Sequence, residues 1–158
     1  MSNHLIIIDT SIFLNILSVP GKCQDKEEVI KAFEDYIALG ASFILPMATI
    51  IETGNHIAQN GNGNTRRKVA SQFCEHISKV LNDEAPYKIS NFPNNDEMKQ
   101  WLNQFPDLAM RNKSPTKQEG TSFGDLTIIQ EFEKQKKLFR AYKIWIWSLD
   151  DDLKQYNY

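Results

Sequence analysis

The sequence has few of the residues that form common metal and nucleophile sites. Its 158 residues include two cysteines, Cys23 and Cys74, without Cys-x-x-Cys spacing, and three scattered histidines. A zinc site is therefore poorly supported, and no nucleophilic triad stands out. A disulfide between the two cysteines stays open but is not needed, because a chain of this length can bury an adequate core without one. We expect a reducing compartment, the cytoplasm.

Long hydrophobic runs, a Gly-rich loop and an excess of positive charge are also missing. The first apolar run, Leu5–Ile8, is far too short to cross a bilayer and lacks the features of a secretory signal, so we expect no membrane partner. The absence of a Gly-rich loop after Ile8 argues against P-loop and Rossmann nucleotide binding. The net charge of −2 argues against a polybasic protein. It does not exclude nucleic acid, since cations held by a local group of acids can reverse the local charge.

What the sequence does contain is an alternation of apolar runs with amphipathic segments. Short β-rich runs predict strands at 5–8, 42–45, 87–89 and 141–148. Helical spacing predicts helices at 11–17, 26–39, 46–59, 65–81, 96–110 and 123–137. Pro106 is expected to disturb the end of the fifth helix, and 111–120 is predicted to be a mobile polar loop. Because parallel neighbours need helical crossovers, we expect one α/β domain over 1–158, a three-layer sandwich around a parallel sheet of about four strands.

Four acidic residues lie beside apolar segments, near the ends of predicted elements: Asp9, Glu52, Asp125 and Asp150. Asp9 directly follows the run Leu5–Ile8, which is typical of a buried parallel strand that brings one side chain to the edge of the sheet. Ligand sites form at such strand ends. We expect these residues, called the four acids below, to meet at one edge of the sheet.

Four carboxylates in one place require a cation. Two carboxylates about 4 Å apart repel each other by ~4 kcal/mol at an effective dielectric constant of about 20, and sites made only of oxygen favour Mg²⁺ or Mn²⁺. Such ions support phosphodiester hydrolysis without a Ser, Cys or His nucleophile. An isolated acid at a helix start is more often a cap, and for Asp125 and Asp150 capping stays an equal alternative. For Asp9 and Glu52 capping is the weaker explanation, because apolar residues flank both.

The order of these segments resembles that of the PIN-domain nucleases. That family has an apolar strand ending in Asp-Thr-Ser or Asp-Thr-Asn, a helical Glu, a Gly-Asp pair and a final Thr/Ser-x-Asp. The corresponding segments here are Asp9-Thr10-Ser11, Glu52 in Thr49-Ile50-Ile51-Glu52, Gly124-Asp125, and Ser148-Leu149-Asp150. The match covers nearly the whole chain in the family's order.

The resemblance implies a Mg²⁺- or Mn²⁺-dependent endoribonuclease in which the four acids hold the metal directly or through water. Ser11 and Ser148 would orient them through hydrogen bonds. Many small members of the family look like the toxins of toxin–antitoxin pairs, so the resemblance also implies RNA as substrate, a possible antitoxin protein as partner and a homodimer.

Basic residues near the predicted site are candidates for contacts with RNA phosphates. His56 lies four residues after Glu52 and is expected on the same helical face. Two basic groups are further candidates, although solvated helix faces explain them equally well. They are Arg66, Arg67 and Lys68, and Lys134, Lys136, Lys137 and Arg140.

Other functional classes fit less well. A haloacid-dehalogenase-like phosphatase needs a second Asp two positions after Asp9, where this chain has Ser11. A receiver-type signalling domain predicts an acidic pair at the end of the first strand, which Asp9-Thr10 does not supply. The main alternative is a catalytically weak PIN-like module that binds RNA or a protein, and the presence of all four acids argues against it.

Overall fold

The chain alternates strands and helices around one parallel sheet. The computed structural model describes residues 2–156. The strands are β1 (His4–Ile8), β2 (Ser42–Leu45), β3 (Tyr87–Ile89) and β4 (Lys143–Trp147). The helices are α1 (Thr10–Ile16), α2 (Lys26–Ala38), α3 (Met47–Ala58), α4 (Gly63–Leu81), α5 (Asn95–Met110) and α6 (Phe123–Leu138), followed by a short 3₁₀ turn, Lys154–Tyr156.

The described strands form a four-stranded sheet in the order β3-β2-β1-β4, and every pairing is parallel. The predicted α/β architecture with a parallel sheet of four strands is therefore confirmed. β1 and β4 pair along their full lengths, from His4 opposite Lys143 to Ile8 opposite Trp147. The carboxyl ends of the central strand β1 and the edge strand β4 consequently lie side by side, where the residues after Ile8 and after Trp147 leave the sheet.

Both faces of the sheet are covered, as a three-layer sandwich requires. Alternate side chains of β1 point to opposite faces, so that Ile6 and Ile8 pack with α1, α2 and α4 while Leu5 and Ile7 pack with α6. All four are buried. This explains why β1 reads as a continuous apolar run instead of an alternating one.

Aromatic residues fill the core on the face of the sheet that carries Ile6 and Ile8. Phe33 stacks on Tyr87 and on Trp147, with ring centroids 5.6 and 6.3 Å apart, and lies 5.1 Å from Phe43. Burial raises the pKa of the Tyr87 hydroxyl. The cluster packs α2 against three strands, β2, β3 and β4.

Pro106 lies inside α5, which ends at Met110 as predicted. Its ring removes the hydrogen bond to the carbonyl of Leu102, and Leu102 is exposed, so water can satisfy that carbonyl. α4 begins at Gly63 instead of Thr65, because the side chain of Asn62 accepts a hydrogen bond from the Thr65 N–H and caps the helix.

Cys23 and Cys74 are both free, so the optional disulfide is not formed. None of the helices within 2–156 has the length and apolar composition needed to span a bilayer.

Candidate active site at the carboxyl edge of the sheet

Asp9 is held where the carboxyl ends of the neighbouring strands β1 and β4 meet. Its N–H donates to the carbonyl of Trp147 at 3.1 Å, which continues the β1–β4 pairing one residue past the strand. The side chain is buried, and its Oδ2 accepts hydrogen bonds from Ser11 Oγ at 2.9 Å and Ser148 Oγ at 2.7 Å. Both bonds use the same carboxylate oxygen. The arrangement fixes the orientation of Asp9 and leaves Oδ1 outside these two contacts.

The two serines have matching roles. Ser11 Oγ accepts from the N–H of Leu149, and Ser148 Oγ accepts from the N–H of Asp150, each at 2.9 Å. Each hydroxyl therefore donates to Asp9 while it accepts from the segment that follows β4. This agrees with the orienting role expected for Ser11 and Ser148, and it places Asp150 next to Asp9.

Glu52 reaches the same edge from α3. The hydroxyl of Thr49, in the first turn of α3, donates to the carbonyl of Ile8 at 2.8 Å and fixes the helix against the end of β1. One turn further along, Glu52 Oε2 accepts from Thr10 Oγ1 at 2.7 Å. The other oxygen, Oε1, lies against Gly124, where a Cβ would overlap it. Glu52 thus contacts the immediate neighbours of both Asp9 and Asp125.

Asp125 lies in the first turn of α6 but does not cap it. The cap is Ser122, whose Oγ accepts from the N–H of Asp125 at 3.1 Å. The capping alternative for Asp125 is therefore excluded. Burial raises the pKa of the Asp125 carboxyl, and the charges of Asp9 and Glu52, with a smaller effect from Asp150, raise it further, while Lys113 opposes them; the result is about 6.

Asp150 has local and ionic partners. Its Oδ1 accepts from the N–H of Asp152 at 3.1 Å, which stabilises the turn after β4, and lies 3.4 Å from Lys117 Nζ. Lys117 Nζ also lies 3.2 Å from Asp152 Oδ2. Asp150 therefore serves as a turn residue, as the capping alternative supposed, while its charge still acts on Asp125.

Asp152 and Lys113 were not singled out from the sequence. Asp152 is buried, and Lys113 Nζ lies 3.3 Å from its Oδ2 and 2.9 Å from Glu119 Oε1. Burial lowers the pKa of the Lys113 ammonium, but the hydrogen bonds to Glu119 and Asp152 outweigh burial and raise it. The sequence carried no signal for these pairs, because the lysines lie in the loop 111–120 and only the fold brings that loop to the strand end. Thr10 could have been predicted from the sequence as a residue of the site, since it directly follows Asp9.

The residues at this edge suit a hard cation, although no ready-made metal site is formed. Among residues 2–156, no three His, Cys, Asp or Glu side chains already stand together as a ligand set. Three observations favour a cation: burial and the neighbouring negative charges raise the pKa of Asp125, Asp152 Oδ1 is buried without a hydrogen-bond partner, and Asp125 and Asp152 line one cavity of about 440 Å³. The ligand chemistry is oxygen only, which suits Mg²⁺ or Mn²⁺.

The basic residues predicted to contact RNA lie on different parts of the structure. Arg66 and Arg67 line a groove with Gly54 and Ile57. Gly54 is about 200° around α3 from Glu52, so this groove lies on another face of the helix. Lys134 pairs with Glu97, with 3.4 Å between Nζ and Oε2. Contacts of RNA with His56, Arg66, Arg67 and Lys68 stay predictions.

No protein-family model, curated protein or solved structure matches the chain. The function is therefore argued from the residues and their geometry.

Proposed function

We propose that this protein is a Mg²⁺- or Mn²⁺-dependent endoribonuclease with a PIN-like active site at the carboxyl edge of its sheet. The observation that carries the proposal is the linkage of the four acids. Asp9 and Asp150 share the hydroxyl of Ser148, and Glu52 bridges the neighbours of Asp9 and Asp125. Acids separated by most of the chain are thus linked through a shared hydroxyl or through adjacent residues, which solvated surface acids do not require.

Asp9, Glu52, Asp125 and Asp150 would hold the metal, directly or through water. Bound divalent ions polarise phosphoryl oxygens, lower the pKa of water and stabilise the leaving oxygen. The chain's own contribution is orientation. Ser11 and Ser148 fix Asp9 through one oxygen, and Thr10 fixes Glu52. Such preorganisation reduces the reorganisation needed when substrate binds.

Single-stranded or structured RNA in the cytoplasm is the substrate we propose, with a toxin role, an antitoxin partner and a homodimer as parts of the same hypothesis. A PIN-like module that binds RNA or a protein without cleaving it is the competing function. It predicts RNA affinity that persists in EDTA and no cleavage with Mn²⁺.

The test is cleavage of end-labelled RNA with Mn²⁺, with and without EDTA. We expect wild-type protein to cleave only with the metal, and Asp9→Asn and Asp125→Asn each to abolish cleavage while circular dichroism shows an intact fold. Asp35→Asn, a change at an exposed acid on α2, is the matched control and should cleave normally. Full activity in either active-site variant would overturn the proposal.

A further inference from the structure

An apolar groove opens directly beside the four acids. It has a volume of about 260 Å³ and lies between α3, the segment after β3, and the N-terminal parts of α5 and α6. Its apolar lining includes Ile51, Phe92, Met98, Trp101 and Phe123. Ile51 and Phe92 are 51% and 69% exposed, so two large apolar side chains at one groove face solvent. Exposed apolar groups concentrated in this way mark binding sites.

The groove and the acidic site share residues. Glu52 and Gly124 line the groove, and they are also the residues through which α3 meets α6 beside Asp125. A ligand that fills the groove therefore contacts Glu52, one of the four acids. A nucleotide whose phosphate lies at the acids would have its base within reach of the groove, since base and phosphate belong to one nucleotide.

The polar groups at the groove discriminate between occupants. Glu52 and Glu131 line it, and an apolar peptide side chain in the groove would desolvate these two carboxylates at a cost. Carboxylates do accept hydrogen bonds from the amino groups of bases. Ser90 adds a hydrogen-bond donor. Its Oγ accepts from the N–H of Met47 at 3.2 Å, so the hydroxyl hydrogen of Ser90 does not point at Met47. Asn91 adds an amide.

The aromatic residues provide a stacking surface that is partly preorganised. Phe123 packs edge to face on Phe105, with centroids 5.2 Å apart, and Trp101 is buried at the groove wall. Phe92 is the exposed ring, in the segment that leads to the capping box of α5 at Asn94. Proteins that bind single-stranded RNA stack unpaired bases on such rings.

We propose that this groove binds one unpaired nucleobase of the RNA, a base with an exocyclic amino group, which stacks on Phe92 and belongs to the nucleotide whose phosphate lies at the four acids. This inference rests on the proposed function and names the substrate class at that site. It predicts that the protein requires an unpaired base beside the scissile phosphate.

The experiment measures the affinity of a fluorescein-labelled single-stranded RNA of about eight nucleotides by anisotropy, with Ca²⁺ in place of Mn²⁺ and a gel to check that the RNA is intact. The proteins are wild type, Phe92→Ala, Phe92→Trp and the control Phe139→Ala, which changes another exposed phenylalanine. Each is measured against the full RNA and a series in which one base at a time is replaced by an abasic nucleotide. Thermal unfolding confirms that the variants fold.

We expect Phe92→Ala to weaken binding by about five- to 150-fold, the range for one base–aromatic stack. Phe92→Trp should restore affinity, and Phe139→Ala should have no effect. The loss in Phe92→Ala should disappear for one abasic position, which identifies the stacked base. RNA containing cytosine or adenine there should bind more tightly than RNA containing uracil, and Glu131→Gln should reduce that preference.

Several results would overturn the inference. They are no RNA binding by wild type, equal effects of Phe92→Ala and Phe139→Ala, a Phe92→Ala loss that is the same at every abasic position, or self-association that depends on Phe92 while RNA binding does not. The two proposals fail separately. Cleavage without dependence on Phe92 overturns only the base site, whereas base-dependent binding without cleavage under Mn²⁺ overturns only the nuclease.

Discussion

Ser148 Oγ donates to Asp9 Oδ2 over 2.7 Å, although the two residues are 139 positions apart in the chain. The bond joins the ends of the neighbouring strands β1 and β4, and the same hydroxyl accepts from the N–H of Asp150. One buried side chain therefore organises two of the four acids.

Replacement of Ser148 should reduce both stability and activity. Ser148→Ala removes a buried hydrogen bond to a charged group, so the free energy of unfolding should fall by about 1–3 kcal/mol. RNA cleavage should fall because Asp9 loses one of its two orienting contacts. Ser148→Thr, which keeps the hydroxyl, should recover most of the activity. Ser78→Ala is the control, since Ser78 is exposed and bonds only its own helix. Denaturant titration and cleavage rates measure the two effects, and a Thr variant as inactive as the Ala variant would contradict the orienting role.

Gly124→Ala should act on Glu52. A Cβ at this position overlaps Glu52 Oε1, and the flexible side chain of Glu52 can move away at little cost in stability. We expect thermal unfolding close to that of wild type but a loss of cleavage, because the carboxylate would leave its bond to Thr10. Gly63→Ala, at an exposed position in the first turn of α4, is the control. Normal activity in Gly124→Ala would show that the position of Glu52 is not needed.

Lys117→Gln should strengthen metal binding. In the structure the Lys117 ammonium lies against Asp150 and Asp152, so a divalent ion must compete with it for Asp150. Because exposed ion pairs are weak, the affinity for Mn²⁺ should rise only severalfold. Lys154→Gln removes the ion pair with Asp151 and should leave the affinity unchanged. Calorimetric titration with Mn²⁺ gives both values, and weaker binding to the Lys117 variant would mean that the lysine supports the site.

Asp125 should make the metal-free protein less stable as the pH rises. Its pKa is raised in the folded state to about 6, so between about pH 4 and pH 6 the folded state binds more protons than the unfolded state. The contribution of Asp125 to the free energy of unfolding therefore falls across this range and is constant above it. Asp125→Asn should remove that decline and be the more stable protein at pH 7 without metal.

The same variant tests metal binding by stability alone. Mn²⁺ at pH 7 should raise the unfolding temperature of wild type, since a ligand that binds only the folded state stabilises it, and should raise that of Asp125→Asn much less. Below pH 6 the increase in wild type should shrink, because protons compete with the metal for Asp125. Equal stabilisation of both proteins would place the metal elsewhere. Asp35→Asn serves again as the control.

Residue patterns along the chain were enough to predict the elements and one part of the site. Continuous apolar runs and helical spacing are local properties, and they predicted the strands, the helices and the parallel sheet; Asp9 at the end of β1 followed directly from them. The end of α5 at Met110 was predicted correctly, whereas the start of α4 was wrong for a local reason, since the cap at Asn62 lets the helix begin at Gly63.

The contacts that link the acids arise only when the whole chain folds. The strand order β3-β2-β1-β4 brings the segment after β4 beside Asp9, and spacing along the chain does not encode which strands become neighbours. The ion pairs of Lys113 and Lys117 and the groove beside Glu52 have the same origin, because they join a loop or a helix to residues distant in sequence. Contacts of this kind form when buried faces of distant segments pack together. The residue pattern of one segment does not identify the segment against which it packs.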